Sequence, residues 1–268
     1  MDKIKQENIK DICYKISKDI ILPKYKNLKD QDIRYKNGTD LVTLVDIEAE
    51  KELKKNLLKI IPKANFIGEE EYSVNNEILN YYNENNYCWT VDPIDGTTNF
   101  VKGKEKFAIM IALTYKNSIL YSWIYKPLKE EMFYAIHNEG AYFEDKKIYT
   151  EGILKLNQAK GSISTKYWDE DYLEKLKLLK NYFAEVKSYG CIGFEYTDIA
   201  LGVRNFAILS KLSPWDHIPG ILLVRESGGA DTDFDKKQYD FTSKNKNLII
   251  GNSEEFNLKI LNKLGEYS

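Results

Sequence analysis

Histidine and cysteine are almost missing from this chain of 268 residues, which holds two of the first and three of the second. His137 and His217 are too few for a His-rich metal site. Neither is accompanied by the Gly-x-Ser-x-Gly turn of a Ser-His-Asp hydrolase. Cys13, Cys88 and Cys191 are odd in number and widely spaced. That excludes a disulfide framework or a zinc knuckle and suits a reducing, cytoplasmic setting. An excess of one charge is also lacking: 39 Lys and Arg stand against 41 Asp and Glu, a net charge of −2. No basic surplus exists to hold a nucleic-acid backbone, so no nucleic-acid partner is expected. Long apolar runs are absent; stretches such as Ile218 to Val224 are far too short to cross a bilayer. Met1 to Leu22 alternates charged residues with Ile and offers no apolar block of a secretion signal. The expectation is a cytoplasmic protein with no membrane partner.

What is present is ordinary globular composition, 43% hydrophobic and 30% charged. The length allows about two domains or one large one, with a core that needs no covalent staples. Ile9, Ile12, Cys13, Ile16 and Ile20 fall on one helical face before Pro23. A second helix is predicted over Asp46 to Ile61, with Asp46 at its start, and Phe66-Ile67 reads as a short strand. From Tyr87 the chain turns β-rich. Cys88 to Val91, Phe107 to Leu113, Ile119 to Tyr125, Met132 to Ile136 and Ala141 to Phe143 predict an antiparallel meander. Beyond about Ile148 strands and helices alternate: strands at Ser162, Glu185, Arg204 to Ser210 and Leu248 to Ile250, helices at Glu170, Gly193, Asp216 and after Ser253. The fold class is therefore an α+β amino half with an antiparallel sheet, residues 1–148, and an α/β carboxyl half, residues 149–268.

The segment Trp89-Thr-Val-Asp92-Pro-Ile-Asp95-Gly-Thr97-Thr-Asn-Phe100 is the most informative. Asp-Pro and Asp-Gly form turns, but a turn needs no acidic pair beside apolar Trp89, Val91 and Phe100. Two carboxylates held close repel, and burying them is costly unless a cation compensates. An all-oxygen site without His or Cys suits Mg²⁺. Gly68-Glu69-Glu70-Glu71 is either solvated surface or a ligand source at a strand end. Asp46, after the run from Asp40, and Asp216, after Trp215, each sit at a helix start, where a cap and a functional role are both open.

Together these segments resemble the inositol monophosphatase family, the lithium-sensitive, magnesium-dependent phosphatases that share a fold with fructose-1,6-bisphosphatase. Trp89 to Lys102 matches the first family signature, and Gly68-Glu69-Glu70 and Asp40 to Asp46 precede it in the expected order. Trp215-Asp216 resembles the second signature but departs from it at Ile218, where a small residue is usual, and at Pro219. The resemblance implies a layered α-β-α-β-α fold and two or three Mg²⁺ held by Glu69, Asp92, the Ile94 carbonyl, Asp95 and Asp216, with Asp92 bridging. It implies that Thr97 and Asp46 orient and deprotonate the attacking water. The amides of Gly96 and Thr97 would hold phosphate oxygens, and Gly190, Cys191 and Ile192 would line the sugar side. Glu69, Ile94, Asp95 and Asp216 would contact substrate as well as metal. A homodimer is expected on the same ground, with the Ile/Tyr-rich strands from Ile119 to Tyr149 as a source of apolar surface.

The function implied is hydrolysis of a small sugar, polyol or related phosphate by metal-activated water. In animal inositol monophosphatases an acid a few residues before the Trp-Asp pair contacts inositol hydroxyls. Here Ala207 to Ser213 holds no carboxylate. An unpaired hydroxyl would cost about 1–3 kcal/mol. Histidinol phosphate, fructose 1,6-bisphosphate and 3′-phosphoadenosine phosphates are therefore alternatives to inositol phosphate. Glu195 and Asp198 are expected as helix-surface charges. A non-catalytic module binding RNA or a protein partner is the alternative of a different class, and the charge balance argues against it.

Overall fold

The computed structural model of the chain describes residues 4–36, 40–152, 155–243 and 247–267. Its amino half runs α1 (Gln6–Ile16), β1 (Ile33–Lys36), β2 (Asp40–Thr43), α2 (Leu44–Ile60), β3 (Asn65–Gly68), α3 (Glu69–Val74), β4 (Tyr87–Asp95) and α4 (Thr97–Val101). The strands β5 (Ala108–Tyr115), β6 (Ser118–Lys126), β7 (Glu131–Ile136), β8 (Gly140–Phe143) and β9 (Lys146–Ile148) follow. Next come β10 (Lys160–Ile163), α5 (Glu170–Lys180), β11 (Glu185–Val186), α6 (Ile192–Ala200), β12 (Phe206–Ser210), α7 (Pro214–Glu226), β13 (Ala230–Thr232), β14 (Asn247–Gly251) and α8 (Glu254–Gly265).

Among the described residues, β3 to β9 form one sheet in sequence order, with β3 parallel to β4 and the rest an antiparallel meander. A second sheet has the order β11-β10-β12-β14-β13, and β1 and β2 form a separate hairpin. The alternation along β5 feeds two cores, because successive side chains leave opposite faces of a strand. Phe107, Ile109, Ile111 and Leu113 pack with Ile9 and Cys13 of α1 and Val45, Ala49, Leu53 and Leu57 of α2. Ala108, Met110 and Ala112 face α6 and α7, meeting Phe194, Ile218, Leu222 and others. Those helices also cover Ala207, Leu209, Leu248 and Ile250 of the second sheet. The far face of that sheet, through Phe206, Ile208 and Ile249, rests on Leu176 and Leu179 of α5 and Phe256 and Ile260 of α8. The layers are thus α1/α2, first sheet, α6/α7, second sheet, α5/α8, the expected α-β-α-β-α order.

Helices α6 and α7 lie close because Gly220 presents no side chain: a Cβ there would fall 2.0 Å from the Tyr196 ring. Ile218 fills this layer and is wholly buried, and α7 continues through Pro219. Proline has no N–H, so α7 forgoes the bond that position would give to the Trp215 carbonyl.

Several sequence expectations need correction. The second helix starts at Leu44, two residues before Asp46. Thr43 is its cap, with Asp46 the reciprocal partner in a capping box. Before Pro23 the first helix widens into a π-helical turn over Ser17–Ile21. The stretch Ile119 to Tyr149 offers little free apolar surface, since Ile119, Trp123, Ile124, Tyr125, Met132 and Phe133 fill the two cores. Leu128 and Tyr149 are the large apolar side chains left exposed there. Glu195 is no surface charge: α6 is sandwiched between two sheets, and Glu195 is only 3% exposed.

Candidate active site

Asp95 lies three positions after Asp92, an odd offset that in a regular strand would point them to opposite faces. The pairing of β4 with β5 shifts between them: Asp92 opposes Met110 and Asp95 opposes Ala108. One extra residue on β4 is a bulge, and Pro93, without an N–H to lose from the ladder, lies within it. The Ile94 amide donates to Asp92 Oδ1 at 2.9 Å and tightens the bend. Met110 and Ala108 share the face turned to α7, so the bulge sends both acids the same way. Gly96 follows in the left-handed region, φ 87°, and starts α4.

Helix α7 brings Asp216, and α3 brings Glu69 from the end of β3. The rings of Trp215 and Tyr72, 4.8 Å between centroids, pack these helices together. Carboxylate oxygens of Glu69, Asp92 and Asp216 lie within 4.8 Å of one another. Burial, then the charges of Glu69, Asp216, Asp95 and Asp46, holds Asp92 well above the usual carboxylate range. Asp216 is raised too, by burial and then by Glu69 and Asp95, while a bond from Asp92 and the charge of Lys211 oppose this.

Asp95 sits apart from that trio. Cys191 Sγ donates to its Oδ2 at 2.8 Å, the Gly193 amide to Oδ2 at 2.6 Å and the Ile192 amide to Oδ1 at 3.2 Å. Burial raises its pKa to about 6, and these donors limit the rise. The start of α6, read from sequence as a sugar-side wall, is thus partly engaged with Asp95. Gly190 lines the open cleft itself.

Thr97 Oγ1 lies 3.0 Å from the Ile94 carbonyl and 3.3 Å from Asp46 Oδ1. The other oxygen of Asp46 accepts from the Thr43 amide at 2.8 Å and from Thr43 Oγ1 at 2.5 Å. Asp46 is 1% exposed and stands behind Thr97. Glu69, Asp92, Ile94, Asp95, Gly96, Thr97, Gly190 and Asp216 all border one cleft of about 600 Å³.

Sequence reasoning missed Glu50. Its carboxylate accepts from the amides of Glu70 and Glu71 at 2.7 and 2.8 Å, fixing the start of α3 and hence Glu69. Burial lifts its pKa to about 7, against those two donors. Gly68 makes room for it, since a Cβ there would fall 2.2 Å from the carboxyl carbon. The available signal was the i, i+4 spacing of Asp46 and Glu50 on one helix face. Glu195 was misjudged rather than missed. It accepts from Ser162 Oγ, from Ser188 Oγ at 2.9 Å and from the Tyr189 amide at 2.8 Å, beside Arg204.

The raised acids have a measurable consequence. A group whose folded pKa lies above its unfolded value stabilises the fold below the unfolded pKa, and that contribution is lost as pH rises through the folded pKa. For Asp95 the window runs from its ordinary 3.8 to about 6, and Asp92 and Asp216 are raised in the same direction. A bound divalent cation removes the penalty by taking the ionised forms. The gap in melting temperature between Mg²⁺-saturated and chelator-treated protein is therefore expected to widen as pH rises from about 4 through about 6. A gap that stays flat across that range would contradict the electrostatic account.

A family model described as the inositol monophosphatase family matches residues 6–268. An inositol monophosphatase of Dictyostelium discoideum is 30% identical over 253 residues, covering 92% of this chain and 89% of that protein. A fructose-1,6-bisphosphatase/inositol-1-monophosphatase of Thermotoga maritima is 26% identical over 228 residues, covering 85% and 84%. Among solved structures, the extragenic suppressor protein suhB of Bartonella henselae superposes with a TM-score of 0.83 at 27% identity, covering 96% of this chain and 97% of that one.

Proposed function

The chain belongs to the inositol monophosphatase family and is a phosphoric monoester hydrolase of that magnesium-dependent group; from this premise we propose that its active site is the cleft between the bulge of β4 and the start of α7. The observation that carries the reading is the convergence of Glu69, Asp92 and Asp216. Carboxylates at that range, Asp92 buried and Glu69 and Asp216 half-buried, repel, and a hard cation is the partner that relieves them. The donor set is all oxygen, which fits Mg²⁺. Glu69, Asp92 and Asp216 would hold it, with Asp95 and the Ile94 carbonyl available to further ions, up to the two or three of the family resemblance. Once bound, Mg²⁺ offsets the charge of the phosphoryl group and acidifies water.

The remaining steps fall to the protein. The Thr97 hydroxyl donates to one group while its lone pairs accept from another. Thr97 Oγ1 reaches both the Ile94 carbonyl and Asp46 Oδ1, and Asp46 would be its acceptor were the carbonyl to hold a cation. The attacking water donates to Thr97 Oγ1, and the proton shifts towards Asp46. Thr43 holds the far oxygen of Asp46, so the carboxylate stays aimed. Gly96 and Thr97 amides would orient phosphate oxygens, and Gly190, Cys191 and Ile192 the alcohol.

The test is phosphate release from inositol 1-phosphate, histidinol phosphate, fructose 1,6-bisphosphate and 3′-phosphoadenosine 5′-phosphate. Hydrolysis of at least one ester in Mg²⁺, inhibition by Li⁺ and silence in chelator are expected. Full activity in excess chelator would sink the metal mechanism. Family resemblance also suggests a homodimer in the cytoplasm, a setting in keeping with the free, buried thiols of Cys13, Cys88 and Cys191. A monomeric mass by light scattering at micromolar concentration counts against the dimer, and activity pelleting with membranes against the location.

A further inference from the structure

Asn99 has no part in the chemistry above, yet it is only 5% exposed and its side-chain amide is heavily engaged. It stands in α4, two residues after Thr97. Its Nδ2 donates to the Lys106 carbonyl at 2.8 Å, to the Tyr189 carbonyl at 2.9 Å and to the Gly190 carbonyl at 3.2 Å. An amide nitrogen carries two hydrogens, so one of them is shared between two acceptors. Three oxygens around one position also fix which way the amide points, since Oδ1 placed there would be repelled by all of them.

The three carbonyls belong to two segments far apart in the chain. Lys106 leads into β5, whose Ala108 pairs with Asp95. Tyr189 and Gly190 form the turn ahead of α6. Gly190 is in the left-handed region, φ 69°, and the three residues after it, Cys191, Ile192 and Gly193, are the donors to Asp95. The turn is tied on its other side as well: the Tyr189 amide donates to Glu195 at 2.8 Å and the Gly190 amide to Ser188 Oγ at 3.1 Å. The approach leaves no slack. A Cβ on Gly96 would fall 3.0 Å from Cys191 Cβ and from the Lys106 carbonyl oxygen. The Lys106 ammonium lies 3.5 Å from the Tyr189 ring centroid, a second link between the same two segments.

We propose that Asn99 is a positioning residue for Asp95. By pinning the Gly190 turn to α4 and to the approach to β5, it aims the donors at the start of α6 and so sets the orientation in which the Asp95 carboxylate meets a metal ion. Those donors go to Asp95 and not to the trio of Glu69, Asp92 and Asp216, so the effect falls on an ion served by Asp95 and spares one held by the trio. The inference rests on the metal-dependent reading above.

Calorimetry with Mg²⁺ and with Mn²⁺ tests it on the wild type, Asn99→Leu, Asn99→Asp, Asp95→Asn and the combination of Asn99→Leu with Asp95→Asn. A leucine side chain roughly keeps the volume and removes the donors. A carboxylate keeps the shape and adds a negative charge, which by charge alone would tighten cation binding, but it is turned against three carbonyls. Both Asn99 variants are expected to weaken the ion served by Asp95 by about tenfold or more, the scale of losing a metal ligand's support, with the ion of the trio little changed. In the Asp95→Asn background Asn99→Leu should add less than about twofold, because it acts through Asp95. Hydrogen exchange of the amides at 190–193 should quicken in Asn99→Leu. Asn99→Ser, a smaller loss, takes its place should Asn99→Leu not fold. Unchanged ion binding in both Asn99 variants, tighter binding in Asn99→Asp, or losses that multiply with Asp95→Asn each overturn the proposal. Wild-type ion binding indifferent to Asp95→Asn overturns the assignment of Asp95 as a ligand and the proposal with it. The expected pattern of ion binding without hydrolysis of any ester counts against the reading of the cleft and leaves Asn99 in its role.

Discussion

Thr97→Val is expected to lower turnover by about 10²–10⁴-fold, the range general-base assistance contributes, with Mg²⁺ affinity little changed. The substitution keeps the shape and removes the hydroxyl that lies 3.3 Å from Asp46. Asp46→Asn should lose a similar factor, and the double variant little more than either alone, because the two act as one unit. The amide side chain introduced by Asp46→Asn would keep an acceptor for the Thr43 amide, so the cap on α2 is weakened but not lost. Steady-state kinetics on the three variants, with metal binding by calorimetry, decides the matter. Losses that multiply would show that Thr97 and Asp46 work independently. Abolished metal binding in Thr97→Val would move the residue into the metal shell.

Asp92→Asn should be at least as severe, about 10³-fold or more, since the several kcal/mol that metal ions supply to the transition state depend on their ligands. Its structural effect has the opposite sign. Asp92 is buried among Glu69, Asp216, Asp95 and Asp46, all of which disfavour its ionised form. A neutral asparagine side chain removes that repulsion and can still accept from the Ile94 amide. In chelator the variant should melt at or above the wild-type temperature, and adding Mg²⁺ should raise its melting point less. A variant that turns over normally at ordinary Mg²⁺, or one that is unfolded in chelator, contradicts the assignment.

The part of this site readable in sequence is the part made by neighbours in the chain. Asp92, Pro93, Asp95 and Gly96 encode the bulge and the turn into α4 within five residues, so their chemistry shows in a short string. Glu69 and Asp216 follow at element starts, which local patterns also mark. Glu50 is different: its partners are amides some twenty residues away, and nothing near it in sequence says that its carboxylate will be buried. Glu195 misleads for a related reason. An acid on a helix reads as solvated unless both sides of the helix are known to be covered, and the second cover, β10 to β14, comes from both before and after it in the chain. Capping is similarly ambiguous by one or two positions. The pattern puts Asp46 at a helix start, yet Thr43 takes the cap because its hydroxyl lies where the Val45 and Asp46 amides point.

The placement of α7 bears on how the chain comes to be finished. On a ribosome, Asp46, Glu69, Asp92 and Asp95 emerge early, whereas Asp216 follows Asp95 by roughly 120 residues, on the order of ten seconds of synthesis. Until then the face of the first sheet bearing Ala108, Met110 and Ala112 lacks its cover, because α6 and α7 supply it. A nascent or truncated chain would thus display an apolar sheet face beside mutually repelling acids, a species suited to chaperone capture. Completion of α7 covers that face and delivers the last carboxylate of the cluster together. Metal affinity would therefore report that the chain has been made and packed through α7.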